Sequence, residues 1–134
     1  MIKYLVDTNV CIYIINKRPI GIIHKFKLFA VGEIGVSTIT VSELQYGVSN
    51  SKNRRLNKQR VDEFLSPLEI LPYDEFAANI YGDIRLQLEK RGKSIGPLDM
   101  LIAAHALSRN LILISNNEKE FKRVKNLKVE NWVI

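Results

Sequence analysis

Short apolar segments alternate with longer helical segments along this chain, and that alternation limits the folds open to it. The apolar segments do not alternate between apolar and polar residues, as Tyr4-Leu5-Val6 and Leu111-Ile112-Leu113-Ile114 show. Strands buried on both faces have this pattern, which is typical of parallel sheets covered by helices. We therefore predict strands at 4–6, around 34–39, at 68–71, at 111–114 and around 127–133.

The segments between these strands have the apolar spacing of helices, with proline or glycine near several of their ends. The predicted helices span about 10–16, 20–29, 41–48, 53–65, 74–90, 97–108 and 117–123. Such a strand–helix alternation indicates an α/β fold with a central, mostly parallel sheet of about five strands. With 134 residues and no repeat or linker, we expect 1–134 to form a single domain.

Composition and charge indicate the kind of partner and the cellular compartment to expect. The net charge of +6 favours a polyanionic partner. No apolar run approaches the ~20 residues that a membrane helix needs, and the first residues lack a signal-peptide pattern, so we predict a cytoplasmic protein. The single cysteine, Cys11, cannot form an internal disulfide and lies in an apolar stretch, where we expect it to pack in the core.

Four acidic residues, each predicted near the start of a helix, carry the functional signal: Asp7, Glu43, Asp99 and Glu120. Right-handed crossovers place strand-to-helix turns along the carboxyl edge of a parallel sheet, where ligands bind in folds of this type. Carboxylates that converge there repel one another until a hard cation neutralises them, and Mg²⁺ or Mn²⁺ prefers oxygen ligands. The pattern therefore predicts a divalent-metal site.

Each acid also has a purely structural interpretation. Asp7 can cap the helix that follows it, and Thr40-Val41-Ser42-Glu43 matches a capping box. Asp99 lies in a first turn opened by Pro97, where it favours the helix dipole, and Glu120 follows a cap-like Asn117. Asp99, however, lies in a nearly all-apolar helix, and a buried unpaired carboxylate costs several kcal/mol unless a cation lies beside it.

Other acidic or metal sites fit the sequence less well. A phosphoaspartyl hydrolase needs an aspartate two residues after the first, and position nine is Asn9. A receiver domain needs an acidic pair at the first strand, which the chain lacks. Zinc is disfavoured because one cysteine and two distant histidines cannot build the usual site. Of those histidines, His24 is predicted at the surface or in packing, and His105 lies about 120° around the helix from Asp99, away from the site.

Four segments resemble the PIN-domain proteins, specifically the VapC group of bacterial and archaeal toxins. They are Leu5-Val6-Asp7-Thr8-Asn9, Ser42-Glu43-Leu44-Gln45-Tyr46-Gly47, the stretch from Ile95-Gly96-Pro97-Leu98-Asp99 to Ala106, and Asn116-Asn117-Glu118-Lys119-Glu120-Phe121, with Val129-Glu130-Asn131-Trp132 closing the chain. The resemblance covers nearly the whole chain in order, and the third segment is highly specific.

The resemblance implies a three-layer α/β/α sandwich, a homodimer, and a metal-dependent ribonuclease that blocks translation and is neutralised by a small cognate antitoxin. It implies that Asp7, Glu43 and Asp99 are the core metal-site carboxylates, with Mg²⁺ as cofactor and Mn²⁺ as a substitute. The fourth position departs from the common pattern, since Ser115-Asn116-Asn117 stands where many PIN domains have an aspartate. Glu120 is the nearby acid that can replace this aspartate, and Asn117 is the alternative group for the fourth site position.

We hypothesise hydrolysis by water activated at the metal, leaving a 5′-phosphate and a 3′-hydroxyl. Thr8, Asn9 and Ser42 are candidate hydrogen-bonding supports, and Arg85 either touches phosphate or pairs with a neighbouring acid. A catalytically weakened RNA-binding or scaffold module and a metal-dependent phosphatase are the rival functions. The RNA target is open, with a transfer RNA implied as one candidate. The helices at 20–29 and 53–65 are candidates for antitoxin docking.

Overall fold

The computed structural model describes residues 1–133, with the side chains of Ala30 and Val31 excepted. Five strands and seven helices occur in this part of the chain. In order they are β1 (Tyr4–Val6), α1 (Thr8–Ile15), α2 (Ile20–Glu33), β2 (Ile34–Ser37), α3 (Thr38–Ser49), α4 (Arg54–Leu65), β3 (Glu69–Leu71), α5 (Glu75–Lys90), α6 (Pro97–Ser108), β4 (Ile112–Ile114), α7 (Glu118–Phe121) and β5 (Val129–Glu130).

All strand pairs are parallel, and the strand order is β3-β2-β1-β4-β5. At the centre, Leu5 of β1 is in register with Gly35 of β2 on one side and Leu113 of β4 on the other. The chain first builds outward from β1 through β2 to β3, and then crosses to the other side of β1 for β4 and β5. The order therefore reverses between β1 and β4, and the carboxyl ends of these strands form the expected ligand-binding crevice.

Side chains of each central strand alternate between two apolar layers. Tyr4 and Val6 pack with the helices of one face, in a cluster that includes Trp132, whereas Leu5 packs in the second cluster with α5 and α6. Because both faces are covered, neither shows a polar stripe, which explains the continuous apolar runs of the sequence. The predicted α/β/α sandwich with a five-stranded parallel sheet is confirmed.

Several element boundaries differ from the prediction, most clearly at β2. This strand ends at Ser37 instead of reaching Ile39, because the Ser37 hydroxyl accepts a hydrogen bond from the Ile39 amide at 3.1 Å and caps α3 there. Helix α1 begins at Thr8, since Asp7 caps it, and α2 continues to Glu33. In the described residues, no helix is both long and apolar enough to cross a bilayer.

Candidate active site

Asp7 lies at the carboxyl end of the central strand and is 5% exposed. Its backbone amide donates to the Ile114 carbonyl at 3.0 Å, which ties it to the neighbouring β4. Its side-chain Oδ1 accepts a hydrogen bond from the Val10 amide at 2.9 Å, so the capping interpretation is correct. A single cap bond leaves most of the hydrogen-bonding capacity of a buried carboxylate unused, so Asp7 remains available to a ligand.

The surroundings of Asp7 disfavour its charge. Its pKa is raised from 3.8 to about 6, chiefly by burial, although the Ser115 side chain and the Val10 amide act against the rise. The negative charges of Asp99 and Glu43 contribute to this rise. A carboxylate in this position gains from any cation that reaches it.

Glu43 reaches the site from the interior of α3. Because Ser37 caps this helix, the predicted capping box at Thr40 is wrong, and Glu43 is the sixth residue of α3 instead of a first-turn residue. Its Oε1 accepts a hydrogen bond from the Thr8 hydroxyl at 2.7 Å, across 35 positions of sequence. The oxygens of Thr8 and the buried Thr40 are 3.1 Å apart. Since the single proton of Thr8 goes to the carboxylate, Thr40 is the donor in that second bond.

Asp99 enters the site from the start of α6, as predicted. Gly96 is the cap residue, Pro97 opens the helix, and Asp99 lies in the first turn. A Cβ atom at Gly96 would lie 3.7 Å from Asp99 Oδ2, which shows that the carboxylate is turned back toward the cap. The half-buried side chain has a raised pKa because of its burial, and the charges of Glu120 and Glu43 add to the effect.

Glu120 and Asn117 occupy the fourth position together. The Asn117 side-chain amide donates to Glu120 Oε2 at 3.0 Å, whereas it makes no capping bond to α7. Asn117 is itself held by Ser115, whose hydroxyl accepts the Asn117 backbone amide at 2.9 Å. This geometry favours Glu120 as the fourth carboxylate, with Asn117 orienting it.

Ser115 is the site residue that the sequence reasoning missed. It is fully buried, lowers the pKa of Asp7, and accepts the Asn117 backbone amide that forms the turn after it. A signal existed, because Ser115 directly follows β4 just as Asp7 directly follows β1. Two adjacent parallel strands present such residues side by side.

The four predicted acids are close enough to affect one another's charge. Asp99 and Glu43 raise the pKa of Asp7, and Glu120 and Glu43 raise the pKa of Asp99. The three ion pairs among residues 1–133 lie elsewhere, at Lys58–Asp62, Arg85–Glu89 and Lys122–Glu118. The site thus concentrates negative charge for which the described side chains supply no counter-ion.

These residues fit a hard divalent cation by chemistry but are not arranged as a finished cage. In the described part of the chain, no three His, Cys, Asp or Glu side chains are close enough together to hold a metal ion. Side chains that repel one another are expected to spread in this way, and an ion has to draw them inward. Oxygen donors from four carboxylates suit Mg²⁺ or Mn²⁺, and the set contains no sulfur or imidazole.

Other predicted residues lie outside this group. The buried His105 imidazole contacts the Ser37 hydroxyl at 2.7 Å, and Cys11 is buried in the core. Ser42 donates to the Thr38 carbonyl and Arg85 pairs with Glu89, so neither supports the site. The remaining two, His24 and Asn9, are exposed.

A family model of the PIN domain matches residues 4–127. The chain is 48% identical over 133 residues to ribonuclease VapC2 of Haemophilus influenzae, covering 99% of this chain and all of the relative. It is also 39% identical over 132 residues to the tRNA(fMet)-specific endonuclease VapC of Shigella flexneri, covering 98% and 99%. Among solved structures, the fold matches a chain of DNA-bound VapBC from Salmonella typhimurium with a TM-score of 0.94 at 40% identity, covering 98% of this chain and 99% of that one.

A family model that matches residues 4–127 covers most of the chain and defines the class. The chain belongs to the PIN-domain family. Within that family, its relatives over nearly full length place it among the VapC ribonucleases.

Proposed function

We propose that this VapC ribonuclease is a toxin that hydrolyses RNA phosphodiester bonds with the help of Mg²⁺ or Mn²⁺ held by Asp7, Glu43, Asp99 and Glu120. The observation that carries the metal assignment is the buried Asp7 carboxylate, whose pKa rises to about 6 beside two further negative groups. A cation is the partner that makes this concentration of charge favourable. Two relatives are named for cleavage of tRNA(fMet), so a transfer RNA is the first substrate to test.

The four carboxylates differ in their surroundings, and we assign them different roles on that basis. Asp7 is held by the Val10 amide, and the charge of Asp99 at the start of α6 acts on it, so these two are the proposed direct ligands. When bound, a divalent cation lowers the pKa of water at the site and offsets charge that develops on the phosphate oxygens.

Glu43 and Glu120 each have one oxygen fixed by a neutral donor, Thr8 or Asn117. A carboxylate held by a neutral donor is oriented without a cation beside it, so it can complete the ligand set or accept a proton from attacking water. The neutral donors explain why the site needs no cationic residue to position these two acids.

The test is cleavage of a purified transfer RNA with and without Mn²⁺, using the wild-type chain, Asp7→Asn and Asp99→Asn. We expect cleavage that requires the ion and is lost in both variants. Mn²⁺ should also raise the unfolding temperature of the wild-type chain but not of Asp7→Asn, which reports binding independently of activity. Cleavage that survives excess chelator or both substitutions would contradict the metal assignment. Intact ion binding without turnover would favour the weakened module instead.

A cognate antitoxin is the protein partner, as in the VapBC complexes of the related structures. A groove of about 220 Å³ runs from Glu43 to Arg60 and joins a larger one of about 570 Å³ along α4. Half-exposed apolar side chains border it, including Ile12 and Leu56. Of the two helices expected to dock the antitoxin, α4 lines this groove, whereas no α2 residue does among those described.

We therefore propose that the antitoxin lies along α4 and reaches the acidic site beside Glu43. Leu56→Glu should weaken the complex by at least 10-fold in a titration of toxin with antitoxin. Ile20→Glu, at a more exposed apolar residue of α2, is the matched control and should leave affinity unchanged. If Ile20→Glu weakened the complex and Leu56→Glu did not, the antitoxin would dock on α2 instead. The homodimer stays a prediction, which light scattering of the free toxin can check.

A further inference from the structure

Two arginines join the segments that lead into Asp99 and away from Glu120. Arg91, at the end of α5, donates to the backbone carbonyl of Arg123 at 3.2 Å. Arg123, just after α7, donates to the backbone carbonyl of Ser94 at 3.2 Å. Each guanidinium is thus anchored on the other segment, which holds both side chains in place.

These arginines belong to a group of cations on the same two segments, which we call the basic ridge. It consists of Arg91, Lys93, Lys119, Arg123 and Lys125. All are exposed except Arg123, which is half-buried. The ridge lies on the opposite face of the sheet from α4, since α5, α6 and α7 pack in the apolar cluster around Leu5, whereas α4 packs in the cluster that includes Trp132.

The charge of the ridge is not neutralised by neighbouring acids. Both arginines bond to carbonyl oxygens, which carry no net charge, and none of the ion pairs between residues 1 and 133 includes a ridge residue. The nearby acids are engaged elsewhere, Glu89 with Arg85 and Glu118 with Lys122. A guanidinium has five N–H donors, so one bond to a carbonyl leaves several donors free for an anion.

The ridge is close to the acidic site along the chain. Arg123 follows Glu120 by three residues and Ser94 precedes Asp99 by five. Even a fully extended chain of three residues spans at most about 11 Å. No ion pair between residues 1 and 133 joins these cations to the site carboxylates. They are therefore available to hold the next phosphates of a strand that crosses the site.

We propose that the basic ridge binds the phosphate backbone of the RNA strand on the α6–α7 side of the scissile bond. This inference rests on the proposed function and adds to it the path of the substrate. An RNA backbone fits because it presents regularly spaced anions to a group of cations, and because fixed guanidinium groups match phosphate oxygens. The contacts are to phosphate, so the ridge positions RNA without reading its sequence.

The test measures binding of a labelled single-stranded RNA in excess chelator, which prevents cleavage, over a range of salt concentrations. The Arg91→Gln/Arg123→Gln double variant should lower the slope of log K against log salt by about 0.7 for each lost phosphate contact, and weaken binding roughly 5-fold per arginine at 0.1 M salt. Arg54→Gln/Arg55→Gln, which removes two exposed cations from α4, is the charge-matched control and should keep the wild-type slope.

A second variant separates binding from loop stability, because the arginine bonds also hold two segments together. Lys93→Gln/Lys119→Gln/Lys125→Gln removes charge from side chains that donate no hydrogen bond in the described structure. We expect it to lower the salt slope as well, at an unchanged unfolding temperature.

Two results would overturn the proposal that the basic ridge binds RNA. One is a wild-type slope of log K against log salt in both ridge variants, and the other is an RNA affinity too weak to measure in the wild-type chain. Loss of slope in the ridge variants of a protein that fails to cleave RNA with Mn²⁺ would instead support the ridge and contradict the proposed function.

Discussion

Replacing Asp7 by asparagine should stabilise the metal-free protein, although it should abolish activity. The two side chains have nearly the same shape, and the asparagine oxygen can still accept the Val10 amide. Only the charge is lost, and the folded protein disfavours that charge. With a folded pKa of about 6 against the ordinary 3.8, and about 1.4 kcal/mol per pKa unit, the charged form lowers the free energy of unfolding by about 3 kcal/mol.

The sign of this effect gives it a characteristic pH dependence. Below pH 3.8 Asp7 is protonated in both states, so its charge has no influence. Between about pH 4 and pH 6 the unfolded chain releases the proton while the folded chain keeps it, so stability falls as pH rises. Above pH 6 the full destabilisation remains. The free energy of unfolding of Asp7→Asn should therefore exceed that of the wild-type chain by up to about 3 kcal/mol at pH 7.5 and match it near pH 4.

Urea unfolding in chelator at the two pH values measures this difference, and at neutral pH the unfolding temperature should rise by roughly 10 °C. Asp83→Asn, at an exposed aspartate on α5, is the control and should show no such dependence. Mn²⁺ at 100 times its dissociation constant should raise the free energy of unfolding of the wild-type chain by about 2.7 kcal/mol and that of the variant by little. Equal or lower stability of Asp7→Asn at pH 7.5 would show that the folded protein does not disfavour the Asp7 charge.

Three further substitutions test how the site and sheet are supported. Thr8→Val removes the 2.7 Å bond to the Glu43 carboxylate, and because bonds to charged groups contribute about 1.5–3 kcal/mol, Mn²⁺-dependent cleavage should fall about 10- to 100-fold. Ser37→Ala removes the α3 cap and leaves the His105 Nδ1 atom buried without its partner, so urea unfolding should show a loss of about 2–4 kcal/mol. Gly35→Ala places a Cβ atom 2.9 Å from a leucine methyl group of β3, so it should cost about 1–3 kcal/mol of unfolding free energy.

Each of these has a matched control. Thr8→Ser keeps the hydroxyl and should retain most activity. Asn53→Ala removes the exposed cap of α4 without exposing a buried partner, and it should cost only about 1 kcal/mol. Gly82→Ala lies in a helix where an added Cβ meets nothing within 4 Å, so it should stabilise by about 0.5–1 kcal/mol. If a control and its partner variant behave alike, the contact in question has no specific role.

Local patterns were enough to predict the order of elements, the parallel sheet and the acidic residues. Apolar runs without alternation reveal strands buried on both faces, and proline and glycine mark helix ends, because both depend on residues only a few positions apart. The position of Asp99 in the first turn of α6 followed from Gly96-Pro97 in the same way.

Tertiary structure decided which groups support those acids. The sequence also offered a capping box for Glu43, but its partner is Thr8, a residue that β1 and α3 bring to it only when the sheet forms. Ser115 became a site residue because β4 pairs with β1, and Arg91 meets Arg123 because α5 ends beside α7. These contacts join residues far apart in the chain. They depend on how the strands are ordered and how the helices cross, which no local pattern encodes.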